Sequence, residues 1–104
     1  MALTVHEAKR IRTTLEEALT SAAEFLARHP EHSAIAAQAK QGATLMKATV
    51  VGGKEADEAP EQTVTMLRDA VGVGRSVITQ TDAGRKVPRL TGRIEEAERL
   101  LGGA

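Results

Sequence analysis

The sequence predicts an all-α protein, an up-down-up-down antiparallel four-helix bundle that forms a single domain over residues 1–104. Three observations support this prediction. Four stretches carry apolar residues three and four positions apart, which is the spacing of one helix face. The connections between these stretches are short, and short connections make consecutive helices antiparallel neighbours. Phe25 is the only aromatic residue, so the core must consist of aliphatic side chains and many alanines, which favours close helix packing.

The first helix is expected to begin at Thr4 and to end at His29-Pro30. Thr4 and Glu7 have the spacing of a capping box, in which the hydroxyl accepts from a free amide and the carboxylate reaches back. Proline disfavours a helical conformation in the preceding residue and suits the first turn of a new helix, so the chain should reverse there. The apolar stripe of this helix comprises Ala8, Ile11, Leu15, Ala18, Ala22 and Phe25.

The second helix is predicted from about Glu31 to Val51, because Gly52-Gly53 should end it. Its spacing assigns five residues to one inward arc, namely Ile35, Ala39, Leu45, Met46 and Val50. The following segment, residues 54–60, is polar and charged, which is typical of a surface loop.

The third helix is predicted from about Pro60 to Ala83, with Gly84 as its stop. It has the widest apolar arc of the four, which predicts that it contacts two neighbours. Gly74 falls in the middle of this arc, and we expect its missing side chain to let the alanine-rich second helix approach closely.

The fourth helix should have Pro88 in its first turn and should end at Gly102-Gly103. Its apolar residues form a single narrow seam, made of Val87, Leu90, Ile94, Ala97 and Leu101. The helical spacing of apolar residues nearly continues through the break between Gly84 and Val87. The alternative is therefore a three-helix protein with a kinked long third helix.

Composition excludes several classes of function. The 14 basic and 14 acidic residues balance, so no overall field attracts the chain to nucleic acid or to an anionic membrane. The absence of cysteine excludes thiolate chemistry and cysteine-ligated metals. No stretch approaches the roughly 18 apolar residues that span a bilayer, and the first residues lack the pattern of a secretory signal. We therefore expect a cytoplasmic protein that does not enter membranes.

An alternating topology places the first and third reversals at the same end, where basic side chains should gather. These residues are Arg28, His29, His32, Arg85, Lys86, Arg89 and Arg93. Guanidinium groups beside a helix N-terminus could bind phosphate or another anion, or a nucleic acid. The competing interpretation is that helix ends collect charges because they are solvated. The acidic loop and the acidic residues of the last helix are expected at the opposite end.

A second candidate surface lies on the outward face of the third helix. Gly72 occupies this face, where a glycine costs roughly 1 kcal/mol relative to alanine without any benefit to the core. Small uncharged side chains accompany it and form a strip of Thr65, Gly72, Ser76 and Thr79. Such a strip suits a docked helix from a partner or from a second copy of the chain, although Gly72 could equally be merely tolerated.

No enzymatic, metal or cofactor site emerges from the sequence. The di-metal helical proteins need Glu-x-x-His pairs on inward faces, and none occurs on an apolar stripe here. No carboxylate falls on a buried stripe that would raise its pKa. The sequence therefore favours a non-enzymatic protein–protein interaction or self-association module, with a homodimer expected. Its contact surface would be the strip on the third helix or the narrow apolar seam of the fourth helix. The alternative function is a nucleic-acid or anionic-ligand binding protein that uses the basic end.

Overall fold

A computed structural model describes residues 3–102, and the regular secondary structure of these residues consists of helices without a strand. The all-α prediction is therefore confirmed. Gly103, which the sequence placed at the end of the last helix, lies outside the described residues. The elements in chain order are α1 (Val5–Leu26), a 3₁₀ turn (Pro30–His32), α2 (Ser33–Ala48), α3 (Glu61–Gln80), the short α4 (Ala83–Lys86) and α5 (Leu90–Gly102).

The four long helices pack side by side, and α1 and α3 each contact all three of the others. Arg10 and Arg93 fix the direction of α5 against α1, because Arg10 pairs with Glu96 and Arg93 pairs with Glu17. In the same way, two contacts fix the direction of α2, because Leu19 of α1 lies beneath Gly42 and Arg12 donates to the Met46 carbonyl. Both α2 and α5 thus run antiparallel to α1, which is compatible with the predicted up-down-up-down bundle. The third helix was expected to have two neighbours, and it contacts all three other long helices and the short α4.

The capping box at the start of α1 is confirmed. The Thr4 hydroxyl accepts a hydrogen bond from the Glu7 backbone N–H over 3.1 Å, and the Thr4 N–H donates to the Glu7 carboxylate over 3.0 Å. The first amides of a helix have no partner within it, so this reciprocal pair stabilises the end. The inward stripe is also as expected, except that Phe25 at its end is only half-buried.

The loop between α2 and α3 covers the remaining free amides at the start of α1. The Val5 N–H donates to the Asp57 carbonyl over 2.7 Å, and the His6 N–H donates to the Glu55 carbonyl over 3.2 Å. The polar segment predicted as a surface loop is thus exposed on one side and hydrogen-bonded to α1 on the other. This contact holds the loop against the end of the molecule at which α1 begins.

The inward arc predicted for the second helix is wrong at two positions. Leu45 is 49% exposed and Val50 is 86% exposed. The helix ends at Ala48 and Thr49 is extended, so Val50 no longer follows the helical period and Val51 turns inward in its place. Leu45 lies on the flank of α2 because the buried face is centred on Met46, and two adjacent helical positions point 100° apart.

The alternative of one kinked third helix is not what is observed. The helix ends at Gln80, because the Thr81 hydroxyl bonds back to the Val77 carbonyl and accepts from the Ala83 N–H. The short α4 follows and contains Gly84, which therefore does not act as the predicted stop. Pro88 lies in the turn before α5 rather than inside its first turn.

Gly74 permits a close approach as predicted, but the neighbour is α5 and not the second helix. A Cβ at position 74 would overlap the end of the Ile94 side chain and would lie 3.0 Å from its Cγ1. This contact belongs to one continuous core whose largest fully buried side chains come from α1, α2, α3 and α5. Within residues 3–102, no helix combines the length and apolar character needed to cross a bilayer.

Candidate functional site

An apolar groove runs between α2 and α3. It encloses about 300 Å³, with Gly42 and Ala70 among its buried residues and Leu45, Met66 and Val73 contributing its larger apolar side chains. The rim carries the amides of Gln38 and Gln41 and the carboxylate of Asp69. The α2–α3 groove is thus an apolar surface with a sparsely charged edge.

Gly42 and Leu45 are two of the α2 residues that line this groove. Gly42 cannot be replaced by a larger residue without displacing Leu19, because an added Cβ would lie 2.9 Å from the Leu19 Cδ1 atom. Leu45 is held on the outer flank of α2, while Met46, next to it, is fully buried. The spacing of apolar residues along the second helix assigned both Leu45 and Met46 to the inward arc, so it did not indicate this groove. The adjacency of two large apolar residues on one helix was the available signal.

The predicted strip on the third helix lies on the outward face of α3. Thr65, Gly72 and Thr79 are exposed and Ser76 is half-buried. Apart from the adjacent backbone of α3, no atom of the described residues lies within 4 Å of the position that a Cβ of Gly72 would occupy. The Thr79 hydroxyl donates to the Arg75 carbonyl of its own helix over 3.0 Å, so its polar group is satisfied locally. Gly72 therefore has no neighbouring element among the described residues, whereas Thr79 lines the same groove as His29 and His32. The alternative contact surface, the apolar seam of the fourth helix, is instead buried in the core of the chain.

The strip and the α2–α3 groove form one continuous surface. Helical geometry places Asp69 less than a quarter turn around α3 from Gly72. Val73 and Met66 lie further around the helix in the same direction. Asp69, Met66 and Val73 line the groove. The structure thus joins the predicted contact strip to an apolar groove that the sequence analysis did not identify.

The predicted basic end is only partly assembled, and it includes acidic groups. His29, His32 and Arg85 line one shallow polar groove, together with Glu31 and Asp82. The two imidazole rings lie 6.4 Å apart between centroids, and the ring of Phe25 lies 4.7 Å from that of His29. This arrangement combines positive and negative groups and is not a purely cationic site.

The other predicted anion-binding residues lie outside that groove. Arg28, Lys86 and Arg89 are exposed, and Arg89 has a left-handed backbone conformation with φ of 67° in the turn that precedes α5. Arg93 lies one turn into α5, where its guanidinium is 3.5 Å from the Glu17 carboxylate. The chain therefore brings three of the seven residues into a common groove.

Local hydrogen bonds lower the pKa of two carboxyl groups. The pKa of Glu31 falls below its ordinary value because its own backbone N–H bonds to it, with a further contribution from positive charge on His29 and His32. The pKa of Glu7 falls because the backbone and the hydroxyl of Thr4 donate to it. Both groups are therefore kept ionised, as expected for solvated ends of helices.

Neither a metal-binding cluster among the described residues nor a similar protein indicates the function of the chain. Among residues 3–102, no three His, Asp or Glu side chains lie close enough together to hold a metal ion. No known protein family, curated protein or solved structure matches this sequence. The functional conclusion therefore rests on the geometry of the surfaces described above.

Proposed function

We propose that this chain is a non-enzymatic protein–protein interaction module that binds an amphipathic helix of a partner protein in the α2–α3 groove. The observation that carries this proposal is the half-exposed Leu45 beside Met66 and Val73 in an open groove. Contiguous exposed apolar surface is uncommon in isolated proteins and is typical of interaction sites. A groove between two helices accommodates the apolar face of a third helix.

The lining of the α2–α3 groove indicates the chemistry of the partner helix. Leucine, methionine and valine would contact apolar side chains spaced at i, i+3 or i+4 and i+7 on that helix. Met66 has a flexible, polarisable side chain that can adapt to such a surface. Of the described residues that line the groove, Asp69 alone is charged, so a basic residue on the flank of the partner helix would complement it.

The strip on α3 extends the proposed contact. Gly72 has open space where a side chain would project, so a helix lying in the groove can come close to the α3 backbone. Interaxial distances fall to the short end of the 8–10 Å range where small residues meet. The strip supports the docking proposal only in combination with the groove, because small exposed residues alone carry no binding energy.

The competing function, anion or nucleic-acid binding at the basic end, has weaker support. Glu31 Oε1 lies 3.4 Å from His29 Nδ1, and Asp82 faces the same groove. An anion would therefore meet two carboxylates beside the three cationic or titratable groups. Among the described residues, a helical partner in the α2–α3 groove would meet the single charge of Asp69, which favours the first proposal.

A photo-crosslinking experiment tests the proposal. A benzophenone amino acid replaces Leu45 in the native host, and the same replacement at exposed Glu95 on α5 serves as the control. The captured protein is then purified and titrated against the chain. Support requires that Leu45→Lys and Val73→Lys each weaken its binding by roughly tenfold or more, while Glu95→Lys does not.

Three results would contradict the proposal. Position 45 could crosslink nothing that position 95 does not also crosslink. The captured protein could bind the Leu45→Lys and Val73→Lys variants as tightly as the original chain. Crosslinking of position 45 to a second copy of this chain would instead identify the groove as a self-association surface.

A further inference from the structure

A second groove, between α1 and α2, has walls of opposite charge. It encloses about 480 Å³ and lies on the other flank of α2 from the α2–α3 groove. The α1 wall carries Glu16 and Glu24, and the α2 wall carries Lys40 and Lys47. The remaining lining residues are small, namely Thr20, Ala23, Ala27, Ala43 and Thr44.

The four charged groups of the α1–α2 groove have no close partner of opposite charge in the described part of the chain. Each ion pair formed within residues 3–102 at 4.0 Å or less involves other acidic groups and other basic groups. Glu24, Lys40 and Lys47 are exposed, and Glu16 is half-buried. The surface therefore presents two negative and two positive charges that form no close ion pair within the described residues.

The charges on the two walls are aligned in height. Arg12 donates to the Met46 carbonyl, and Leu19 lies beneath Gly42. The helices α1 and α2 are therefore antiparallel. By this register, Glu16 and Lys47 lie within about one helical turn of the same height. At the other end of the groove, Glu24 and Lys40 likewise lie at similar heights along the helix axes.

This pattern selects one mode of self-association. A two-fold axis parallel to the helices places α1 of each copy on α2 of the other and preserves height. Glu16 then faces Lys47 of the second copy, and Glu24 faces its Lys40. A two-fold axis perpendicular to the helices would instead place α1 of each copy on α1 of the other, and α2 on α2. Acidic residues would then face acidic residues, and basic residues would face basic residues. Like charges across an interface are unfavourable, so the parallel axis is favoured.

We propose that two copies of this chain associate through the α1–α2 groove about a two-fold axis parallel to the helices. Ala23 and Ala43 allow the helices of the two copies to approach closely, and the four charges determine the orientation. This surface is isologous, since the same patch serves both copies. It uses a different flank of α2 from the proposed partner site, and each proposal can fail without the other.

Charge reversal tests the proposal on the full chain. The variant Lys40→Glu/Lys47→Glu makes both walls acidic, and Glu16→Lys/Glu24→Lys makes both walls basic. We expect the original chain to sediment at twice the monomer mass at low salt and each variant alone to associate roughly tenfold more weakly or worse. An equimolar mixture of the two variants should form a heterodimer, because each acidic wall then meets a basic one.

Two further variants complete the experiment. The fourfold exchange, which combines both pairs of substitutions, should restore the homodimer, since the walls are again complementary. Lys54→Glu/Lys86→Glu makes the same change in net charge at exposed positions outside the groove and should leave the dimer intact. Circular dichroism of every variant verifies that the helices persist.

The expected signature is the combination of weakened single variants and a restored mixture. A monomeric original chain would overturn the proposal, as would a dimer that both groove variants leave unchanged. A dimer weakened equally by the control variant would overturn it too, because net charge and not the groove would then control association. Leu45→Lys is expected to retain the dimer mass, which separates this result from the test of the partner site.

Discussion

Gly74 presents bare backbone to Ile94, and this contact sets the distance between α3 and α5. An added Cβ would overlap the tip of the Ile94 side chain and would lie 3.0 Å from Cγ1. Gly72, on the opposite face of the same helix, has no atom of the described residues within 4 Å of the corresponding position apart from the adjacent backbone of α3. The two glycines therefore share a helix and a local propensity, and differ in whether a neighbour occupies the space beside them.

Alanine at these two positions should have opposite effects. Gly72→Ala is expected to stabilise the fold by up to about 1 kcal/mol, since alanine is the better helix former and meets no obstacle. Gly74→Ala gains the same propensity but must displace Ile94, and overpacking typically costs about 1–3 kcal/mol. Urea denaturation should therefore show Gly74→Ala to be less stable than Gly72→Ala by roughly that cost.

A double-mutant cycle identifies the source of this difference. Ile94→Val removes the Cδ1 atom and by itself should cost about 0.5–1.5 kcal/mol. In the Gly74→Ala background the same change should cost less, because it also relieves the overlap. Additive effects would mean that Gly74 is constrained by something other than Ile94.

Leu45 and Met46 should contribute very differently to stability despite being adjacent. Met46 is 1% exposed, so Met46→Ala leaves a cavity and should cost about 2–5 kcal/mol. Leu45 is 49% exposed, so Leu45→Ala should cost about 1 kcal/mol or less. Thermal or chemical denaturation checks the order, and equal losses would place Leu45 in the core after all.

The Glu7 carboxylate should make stability depend on pH in the acidic range. Its pKa is lowered in the folded chain from the ordinary value of 4.5 by hydrogen bonds from Thr4, so the folded state favours the ionised form. This contribution is fully present above about pH 4.5 and is lost as the pH falls through the lower folded-state value. The stability advantage over Glu7→Gln should therefore shrink on acidification.

The Thr4 hydroxyl provides a direct measurement of that effect. Thr4→Ala removes one of the hydrogen bonds to the carboxylate, so the pKa of Glu7, followed by carbon-13 NMR, should rise. Thr4→Ser keeps the hydroxyl and should leave the titration close to that of the original chain. An unchanged pKa in Thr4→Ala would show that the side chain makes no contribution.

The mixed charges around His29 and His32 predict weak binding to anions. We expect the chain to elute from an anionic resin at low salt at neutral pH, because Glu31 and Asp82 share the groove with Arg85. Arg85→Glu/Arg89→Glu should change this retention little. Strong, salt-sensitive retention that the double variant abolishes would favour the nucleic-acid or anionic-ligand function instead.

The sequence by itself determined the helical class, the capping box at Thr4 and most of the buried faces. These properties are local, because helical spacing and a hydroxyl three residues before a carboxylate act within one or two turns. The outward position of the α3 strip followed from the same periodicity. Its use as a contact surface stays a prediction, as does the function of the basic end.

Tertiary structure decided which neighbour each face meets. Periodicity placed Gly74 on an apolar face but could not specify that Ile94, and not the second helix, would fill the space beside it. It could not choose between Leu45 and Met46 either, since that choice depends on how α2 rotates to pack against α1 and α3. The opposed charges of the α1–α2 groove likewise arise only when residues from two helices are brought side by side. Contacts between distant segments depend on shape and register, which a local pattern does not encode.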